Sequence, residues 1–340
     1  MLRGAGAATL LWAFSSRVSS QGKEMLFGIP VDTSNSLPFM VASAGGYFKA
    51  EGLNVKVTMP SSGTNVRQMV AAGDMPFAMG DPIHPLAMTG AGKPCKMLMS
   101  LDTRASIAMI VRQDLFDKGI TTPEALADLK KADGSKPAIG VTRIGSQTWL
   151  YGDQIIRATG KIDNVNFVST GQGASMLGAL KSGQVDAIMA NSLAYFATQD
   201  EKLGSPVFNA VDEATWVKFF KSTFPGLAVF TLASEVTAQP EMTQSVVNAV
   251  YRALQHIKKE TPANLVKLVQ PRFMTNFKPE VAEREIEYLK PIYSYTGELT
   301  ETQFMHGGKV WFSEGTKVKP QLYKDMVDTS FLLKARAKFG

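Results

Sequence analysis

The sequence predicts an α/β protein of two lobes, each a mostly parallel sheet flanked by helices, with a helical C-terminal extension. Three observations lead there. Strand and helix patterns alternate from residue 25 onward, the order that builds parallel sheets. The pattern repeats after a register shift of 110 positions, from Ile29 to Ile139. The chain also crosses between the two repeats twice, which makes a hinge where one crossing would make a tether.

The elements follow in order. Residues 25–31 are a short apolar run that reads as a buried parallel strand. Ser34-Asn35-Ser36 supplies cap candidates, and Pro38 falls in the first turn of a helix expected to run to about residue 50. Residues 53–59 read as the second strand. Gly63-Thr64 opens a helix that ends near Ala72, with Gly73 free to take a left-handed cap. Residues 76–79 are the third strand. The register shift places identical residues at Ile29/Ile139, Val31/Val141, Ser36/Ser146, Asn54/Asn164, Val55/Val165, Gly63/Gly173, Gly73/Gly183 and Met79/Met189, with no gap. Any two βαβ units share some of this; the matches fall on strand cores, helix starts and helix stops, as two similar lobes require.

Residues 96–101 and 107–111 read as strands joined by Asp102-Thr103-Arg104-Ala105-Ser106, the first crossing. The chain returns through the apolar run 227–232. The expected division is therefore 25–105 plus 225–340 for the first lobe with its tail, and 106–224 for the second. Amphipathic spacing predicts tail helices at 241–260, 263–269, 279–293, 300–313 and 320–334.

Residues 1–24 carry Arg3, an apolar stretch from Ala5 to Phe14, and small residues at Val18-Ser19-Ser20. This is the order of an export signal, set against the alternative of an N-terminal helix. The segment from Leu2 to Ala8 also resembles the inner part of a twin-arginine signal. The expected location is periplasmic, as an exported soluble protein.

Composition removes several classes. At 340 residues and 45% hydrophobic content, the chain is a folded one of about two domains and not a disordered scaffold. A single cysteine, Cys95, excludes an internal disulfide framework and any multi-thiolate metal site. Three separated histidines argue against a histidine-built metal centre, so no metal and no cofactor is expected. The net charge of +6 is spread along the chain, and the densest basic stretches, Lys258-Lys259 and Lys334 to Lys338, are short, so no nucleic-acid partner is expected.

In open α/β sheets ligands bind beyond the carboxyl ends of the strands, where helix N-termini also point. In the first lobe these ends carry Asp32 to Ser36, Ser62-Gly63-Thr64 and Gly80-Asp81-Pro82. In the second they carry Thr142 to Thr148, Gly171-Gln172-Gly173 and Asn191-Ser192. Each loop alone reads equally well as turn and cap chemistry. Six together point to a polar cleft. Candidate ligand contacts are Asp32, Ser34, Asn35, Ser62, Gly63, Thr64, Asp81, Arg143, Gly145, Ser146, Gln147, Thr148 and Asn191, with Arg104 at the crossing. The arginines offer paired N–H groups to an oxyanion. Asp32 and Asp81 offer acceptors to an ammonium or amide. Trp149, Tyr195 and Phe196 are candidates for an apolar wall. No catalytic signature is present: Gly90-Ala91-Gly92-Lys93-Pro94 lacks the hydroxyl residue of a phosphate loop, and Gly171-Gln172-Gly173 lacks the third glycine of a dinucleotide fingerprint. His84, in Asp81-Pro82-Ile83-His84-Pro85, reads as a surface or capping residue, with a ligand contact as the alternative; His256 and His306 read as structural.

The run from Ala42 to Val55, with Gly46-Tyr47-Phe48 and Glu51-Gly52-Leu53, resembles ABC-transporter substrate-binding proteins of the nitrate/sulfonate/taurine and thiamine-pyrimidine-precursor group. Ser62-Gly63 with Ala71-Ala72-Gly73-Asp74, Leu126 to Lys130, and Ser182-Gly183-Gln184-Val185-Asp186-Ala187 extend the likeness over about residues 25–238. The resemblance implies a type II periplasmic-binding fold that closes on a small polar or anionic solute. It also implies delivery to a permease in the inner membrane, a monomer, and a binding protein and not an enzyme. Alternatives are a receptor for an aromatic pyrimidine-type precursor and a pyrimidine-synthase-like enzyme. The latter relatives carry a cysteine-rich motif that this chain, with Cys95 alone, lacks.

Overall fold

A computed structural model describes residues 24–29, 34–60 and 63–340. The export segment up to residue 23, Asp32 and Ser62 lie outside the described residues. Among the described residues there are ten strands: β1 (Met25–Gly28), β2 (Val55–Thr58), β3 (Phe77–Gly80), β4 (Cys95–Ser100), β5 (Ile107–Arg112), β6 (Ala138–Val141), β7 (Asn166–Ser169), β8 (Ala187–Asn191), β9 (Gly204–Asn209) and β10 (Ala228–Leu232). They build two five-stranded sheets, ordered β2-β1-β3-β10-β4 and β7-β6-β8-β5-β9. β10 runs antiparallel to both neighbours in the first sheet, and β5 does so in the second. The strand that crosses between the sheets thus fills the same antiparallel position in each. β3 and β8, apolar apart from Asn191 at the end of β8, are central and buried, while β2 and β7 are half-exposed edges, as strands covered on both faces or one should be.

The internal repeat is real in architecture but not gapless. Phe27 pairs with Phe77, whereas Ile139 pairs with Ala187. Phe77 and Ala187 keep the expected spacing, so Ile139 stands where Phe27 does and Val141 where Ile29 does. Phe27 precedes the helix Leu37–Ala44 by ten positions, and Ile139 precedes the helix Gln147–Ala158 by eight. The loop after β1 is therefore two residues longer. The identities Ile29/Ile139 and Val31/Val141 reflect only the β-branched character common to buried strands.

Two expected helices are interrupted. The first stops at Gly45, and Gly46 takes a left-handed conformation (φ 73°) before the short helix Tyr47–Ala50. The expected helix 320–334 divides into Tyr323–Met326 and Ser330–Phe339. Between them Val327 forms a bridge with Met97 at the edge of β4, which pulls the chain straight. Asp328 Oδ1 then accepts the Ser330 N–H (3.0 Å) and starts the next helix.

The long helix Pro240–Lys259 buries Val246, Val250, Ala253, Leu254 and Ile257 in the first-lobe core, packed against helices Leu37–Ala44, Tyr47–Ala50 and Ser330–Phe339. The tail does not stay there. Helix Glu301–Trp311 packs against Gln147–Ala158 of the second lobe, and the chain then returns to β4.

The two crossings are tied to one another. Asp102 Oδ1 accepts the N–H groups of Gly226 (2.7 Å) and Leu227 (3.0 Å). Arg104, a candidate ligand contact by sequence, is buried here instead. Its guanidinium donates to the carbonyls of Ala210 (3.0 Å) and Val211 (2.9 Å) and pairs with Glu213 (3.2 Å). These contacts hold it at the hinge, and it is not among the residues that line the cleft. Gly226 is required by proximity: a Cβ there would stand 2.6 Å from Ala105 Cα.

Candidate functional site

A cavity of ≈360 Å³ opens between the lobes at the carboxyl ends of the strands. From the first lobe it is lined by Asn35, by Gly63, Thr64 and Asn65 at the start of helix Gly63–Ala72, and by Gly80, Asp81 and His84 beyond β3. From the second it is lined by Thr142, Arg143, Ser146, Gln147 and Thr148 after β6, by Gly171 and Gln172 after β7, and by Asn191 after β8. Asp102, Ser106 and Leu227 complete it from the crossings. The strand-end loops of both lobes therefore meet at one space.

Of the residues singled out by sequence, Asn35, Gly63, Thr64, Asp81, Arg143, Ser146, Gln147, Thr148 and Asn191 line this cavity. Ser34 does not: it is buried, its N–H donates to Glu285 Oε2 (3.0 Å), and its carbonyl accepts the Tyr293 hydroxyl (2.6 Å). Gly145 is exposed and supplies the positive φ (83°) that turns the loop into its helix. Asp32 and Ser62 fall outside the described residues. Trp149, Tyr195 and Phe196 form no wall. Trp149 contacts the tail near Gly315, while Tyr195 stacks on Tyr288 and Phe196 meets that ring edge-on, at centroid distances of 5.3 and 5.1 Å.

Cap chemistry and cleft chemistry coincide. Ser146 caps Gln147–Ala158 by accepting the Trp149 N–H, and Asn191 caps Ser192–Asp200 by accepting the Ala194 N–H. Ser146 belongs to a triangle of hydroxyls with Thr142 and Thr148, all 2.8–2.9 Å apart. The wall this makes can donate or accept, because each hydroxyl rotates. Arg143 stands exposed beside it, and its guanidinium has no partner among the described residues.

The wall also carries buried acidic groups. Asp81 is buried and its carboxyl is pushed up to about 7 by loss of solvent, against the N–H of Ile83 and the amide of Gln147. Asp102 is raised as well, by burial first, with the Asp81 charge adding to it and the Leu227 and Gly226 N–H groups and Arg104 opposing. His84, read from sequence as a surface or capping residue, is buried in the cavity wall. Burial, then the charge of Arg67, pulls it down to about 3, so the imidazole is neutral at pH 7. Its Nδ1 has no hydrogen-bond partner. His84 stands one turn after the strand-end loop Gly80-Asp81-Pro82, whereas nothing local in the sequence marks Asp102 as a cavity residue; its position depends on Gly226 and Leu227, far along the chain.

Two contacts span the cavity. Gln147 Nε2 donates to Asp81 Oδ2 (2.9 Å) and to the Gly226 carbonyl (3.0 Å). Ser106 Oγ bonds Asn35 Oδ1. The close approach of Gly63 to His84 yields a test. A Cβ on Gly63 would stand 2.5 Å from His84 Nε2. Gly63→Ala is expected to tilt the imidazole into the cavity and weaken solute binding about tenfold, or ~1.4 kcal/mol, with a near-native melting profile. Calorimetric titration of the variant with the co-purifying solute checks it.

The model of the NMT1-like family matches residues 29–270, a span that carries every described strand but β1 and all the described residues that line the cavity. The chain belongs to the NMT1-like family. The comparisons agree in length and topology. A curated relative of this NMT1-like chain, from Aspergillus parasiticus, is named 4-amino-5-hydroxymethyl-2-methylpyrimidine phosphate synthase. It is 23% identical over 261 residues, covering 74% of this chain and 72% of the relative. Among solved structures, a Bordetella bronchiseptica protein superposes with a TM-score of 0.78 at 22% identity, over 94% of this chain and 98% of the other. The periplasmic nitrate-binding protein NrtA from Synechocystis gives 0.74 at 14% identity, over 93% and 89%. These likenesses establish the two-lobed periplasmic-binding-protein fold for the NMT1-like chain. No helix among its described residues is long and apolar enough to cross a membrane.

Proposed function

We propose that this NMT1-like protein is an extracytoplasmic solute receptor of an ABC importer. One observation carries the reading: a single polar cavity is lined from both lobes at once, by Asp81 and Thr64 on one side and Arg143 and Ser146 on the other. Contacts divided in this way exist together only when the lobes are closed, so a solute that makes them shifts the population toward closure. Residues 25–105 with 225–340 move as one lobe and 106–224 as the other. The ligand is a small polar organic molecule, the location is the periplasm, the receptor is a monomer, and the partner is an inner-membrane permease. The fold held in common with a nitrate-binding protein supports this.

The test combines melting temperature with solution scattering over a panel of nitrate, sulfonates, carboxylates, amino acids and pyrimidines. A member that raises the melting temperature and lowers the radius of gyration is the expected result. Unchanged values across the panel, with no small molecule in the mass spectrum of the purified protein, would sink the reading.

A second reading, an enzyme on the same fold, rests on the synthase name of the Aspergillus relative and on the neutral His84 in the cavity wall. Against it, the lone thiol, Cys95, is buried in the first-lobe core, and burial pushes it up to about 12, so it is no nucleophile. Release of a pyrimidine product by the purified protein would reverse the ranking.

A further inference from the structure

Two carboxyl groups are sealed against the second crossing, and Gly226 joins them. Asp81 and Asp102 are only 3% and 5% exposed. The Gly226 N–H donates to Asp102 Oδ1 (2.7 Å). The Gly226 carbonyl accepts from Gln147 Nε2 (3.0 Å), and the same nitrogen donates to Asp81 Oδ2 (2.9 Å). Asp81 follows β3 of the first sheet, whereas Gln147 follows β6 of the second. The amide that covers the Asp81 carboxyl therefore arrives when the lobes close and leaves when they open. Opening lets water take its place.

The surrounding charges do not repay this burial. Two carboxylates held out of water repel each other, and each loses its hydration. Helix Gly63–Ala72 brings Arg67, whose charge acts on His84. Helix Ile83–Gly90 brings His84 itself, neutral at pH 7. The first crossing brings Arg104, whose guanidinium is paired with Glu213 (3.2 Å). The loop after β6 brings Arg143, which is exposed and screened by water and salt. Helix Gln147–Ala158 brings Tyr151, and the segment after Pro279–Leu289 brings Tyr293; burial first of all holds both phenols well above their ordinary value, so both are neutral. β10 brings no charged side chain. Hydrogen bonds from the Ile83 N–H and the Gln147 amide ease the charge on Asp81, and the Leu227 and Gly226 N–H groups ease that on Asp102, with Arg104 adding last. Burial outweighs them at both.

We propose that closure of the cleft takes up a proton on the Asp81–Asp102 pair, so that the receptor holds its solute more tightly in acid than in base. This names a regulation of the same cavity and rests on the receptor reading. The sign follows from the two states of Asp81. In the open cleft its carboxyl is hydrated and returns to the ordinary range, about 4. In the closed cleft burial pushes it up to about 7. The closed form then holds a proton that the open form gives to solvent. Its advantage is full below about pH 4 and is lost as pH rises through about 7.

The test titrates nitrate, sulfonates, carboxylates, amino acids and pyrimidines by calorimetry at pH about 5.5 and about 8.5. Wild type, Asp81→Asn and Gln147→Ala are compared, with circular dichroism to show that each is folded. Buffers of different ionisation enthalpy count the protons taken up. Nitrate and sulfonates keep the same charge over this range, so a pH effect on them belongs to the protein. A bound compound is expected to gain about thirtyfold in affinity at the lower pH, with proton uptake near neutrality. Asp81→Asn should hold the change below about threefold. Gln147→Ala, which admits water to Asp81, should move the step to lower pH. Equal affinity at both pH values, or a step that survives in Asp81→Asn, overturns the proton coupling and leaves the receptor standing. Should Asp81→Asn not fold, an unmoved step in Gln147→Ala overturns it in the same way. Should no compound bind, solution scattering of the chain alone decides. Its radius of gyration should fall as pH drops through about 7, and a radius indifferent to pH overturns the proposal.

Discussion

Glu285→Ala is expected to lower the unfolding free energy by about 2–4 kcal/mol and to weaken solute binding at the same time. Glu285 is fully buried in the helix Pro279–Leu289. That helix turns Ala282, Ile286 and Leu289 into the first-lobe core. Its polar positions reach across to the second lobe. Glu285 Oε2 accepts the Ser34 N–H of the first lobe, and Oε1 accepts the hydroxyl of Ser192 at the head of a second-lobe helix. Arg284 makes a two-pronged pair with Asp200 (2.8 and 3.0 Å), and Tyr288 donates to Asn209 Oδ1 (2.7 Å). Removal of the carboxylate leaves a buried backbone donor unmet and cuts the central tie of this clasp. Urea melts and calorimetry on Glu285→Ala, with Glu285→Gln to keep one acceptor, read both effects. The exposed pair serves as a control: Arg284→Ala should cost less than about 1 kcal/mol. Equal values for Glu285→Ala and wild type in both assays would remove the clasp from the account.

Trp216→Ala is expected to cost about 3–5 kcal/mol. Trp216 is fully buried and its ring lies 4.3 Å from Phe220, 5.0 Å from Phe224 and 5.6 Å from Tyr151 between centroids. Its indole N–H donates to the Ser222 carbonyl (2.9 Å), so the deletion also strands an acceptor. Phe224 continues the cluster to Trp311 of the tail (5.6 Å). The loss therefore loosens the join between the second lobe and the tail, as well as the lobe itself. Denaturant titration followed by circular dichroism measures it. Val217→Ala, one residue away and 38% exposed, should stay within about 0.5 kcal/mol. If the two variants behave alike, the cluster does not carry this stability.

The strands and most helix starts were legible because their signals are local. Apolar runs mark β3 and β8, and Ser146 and Asn191 announce helices through side-chain oxygens a few residues from the N–H groups they cap. The strand-end loops were legible for the same reason, and thirteen of the residues they carry line the cavity. What each side chain does there was not. Arg104 and Arg143 look alike in a sequence, yet Arg104 is captured by carbonyls more than a hundred residues later, and Arg143 has no partner among the described residues. Ser34 and Asn35 are neighbours, but Glu285 draws the first out of the cavity wall. The break at Val327 depends on an edge strand at Met97 that no window around residue 327 contains. The two extra residues before Leu37 escaped notice because strands tolerate exchange among Ile, Val and Leu, which blurs register.

The exchanged antiparallel strand has a consequence for how the molecule assembles. Every strand of the second sheet lies within residues 107–209, so that sheet can close as soon as this stretch has left the ribosome. The first sheet begins earlier in the chain but lacks its fourth strand until residues 228–232 emerge. Until then the flanks of β3 and β4 that β10 will cover stay open to pairing with other chains. The half that is made first is the half that finishes last.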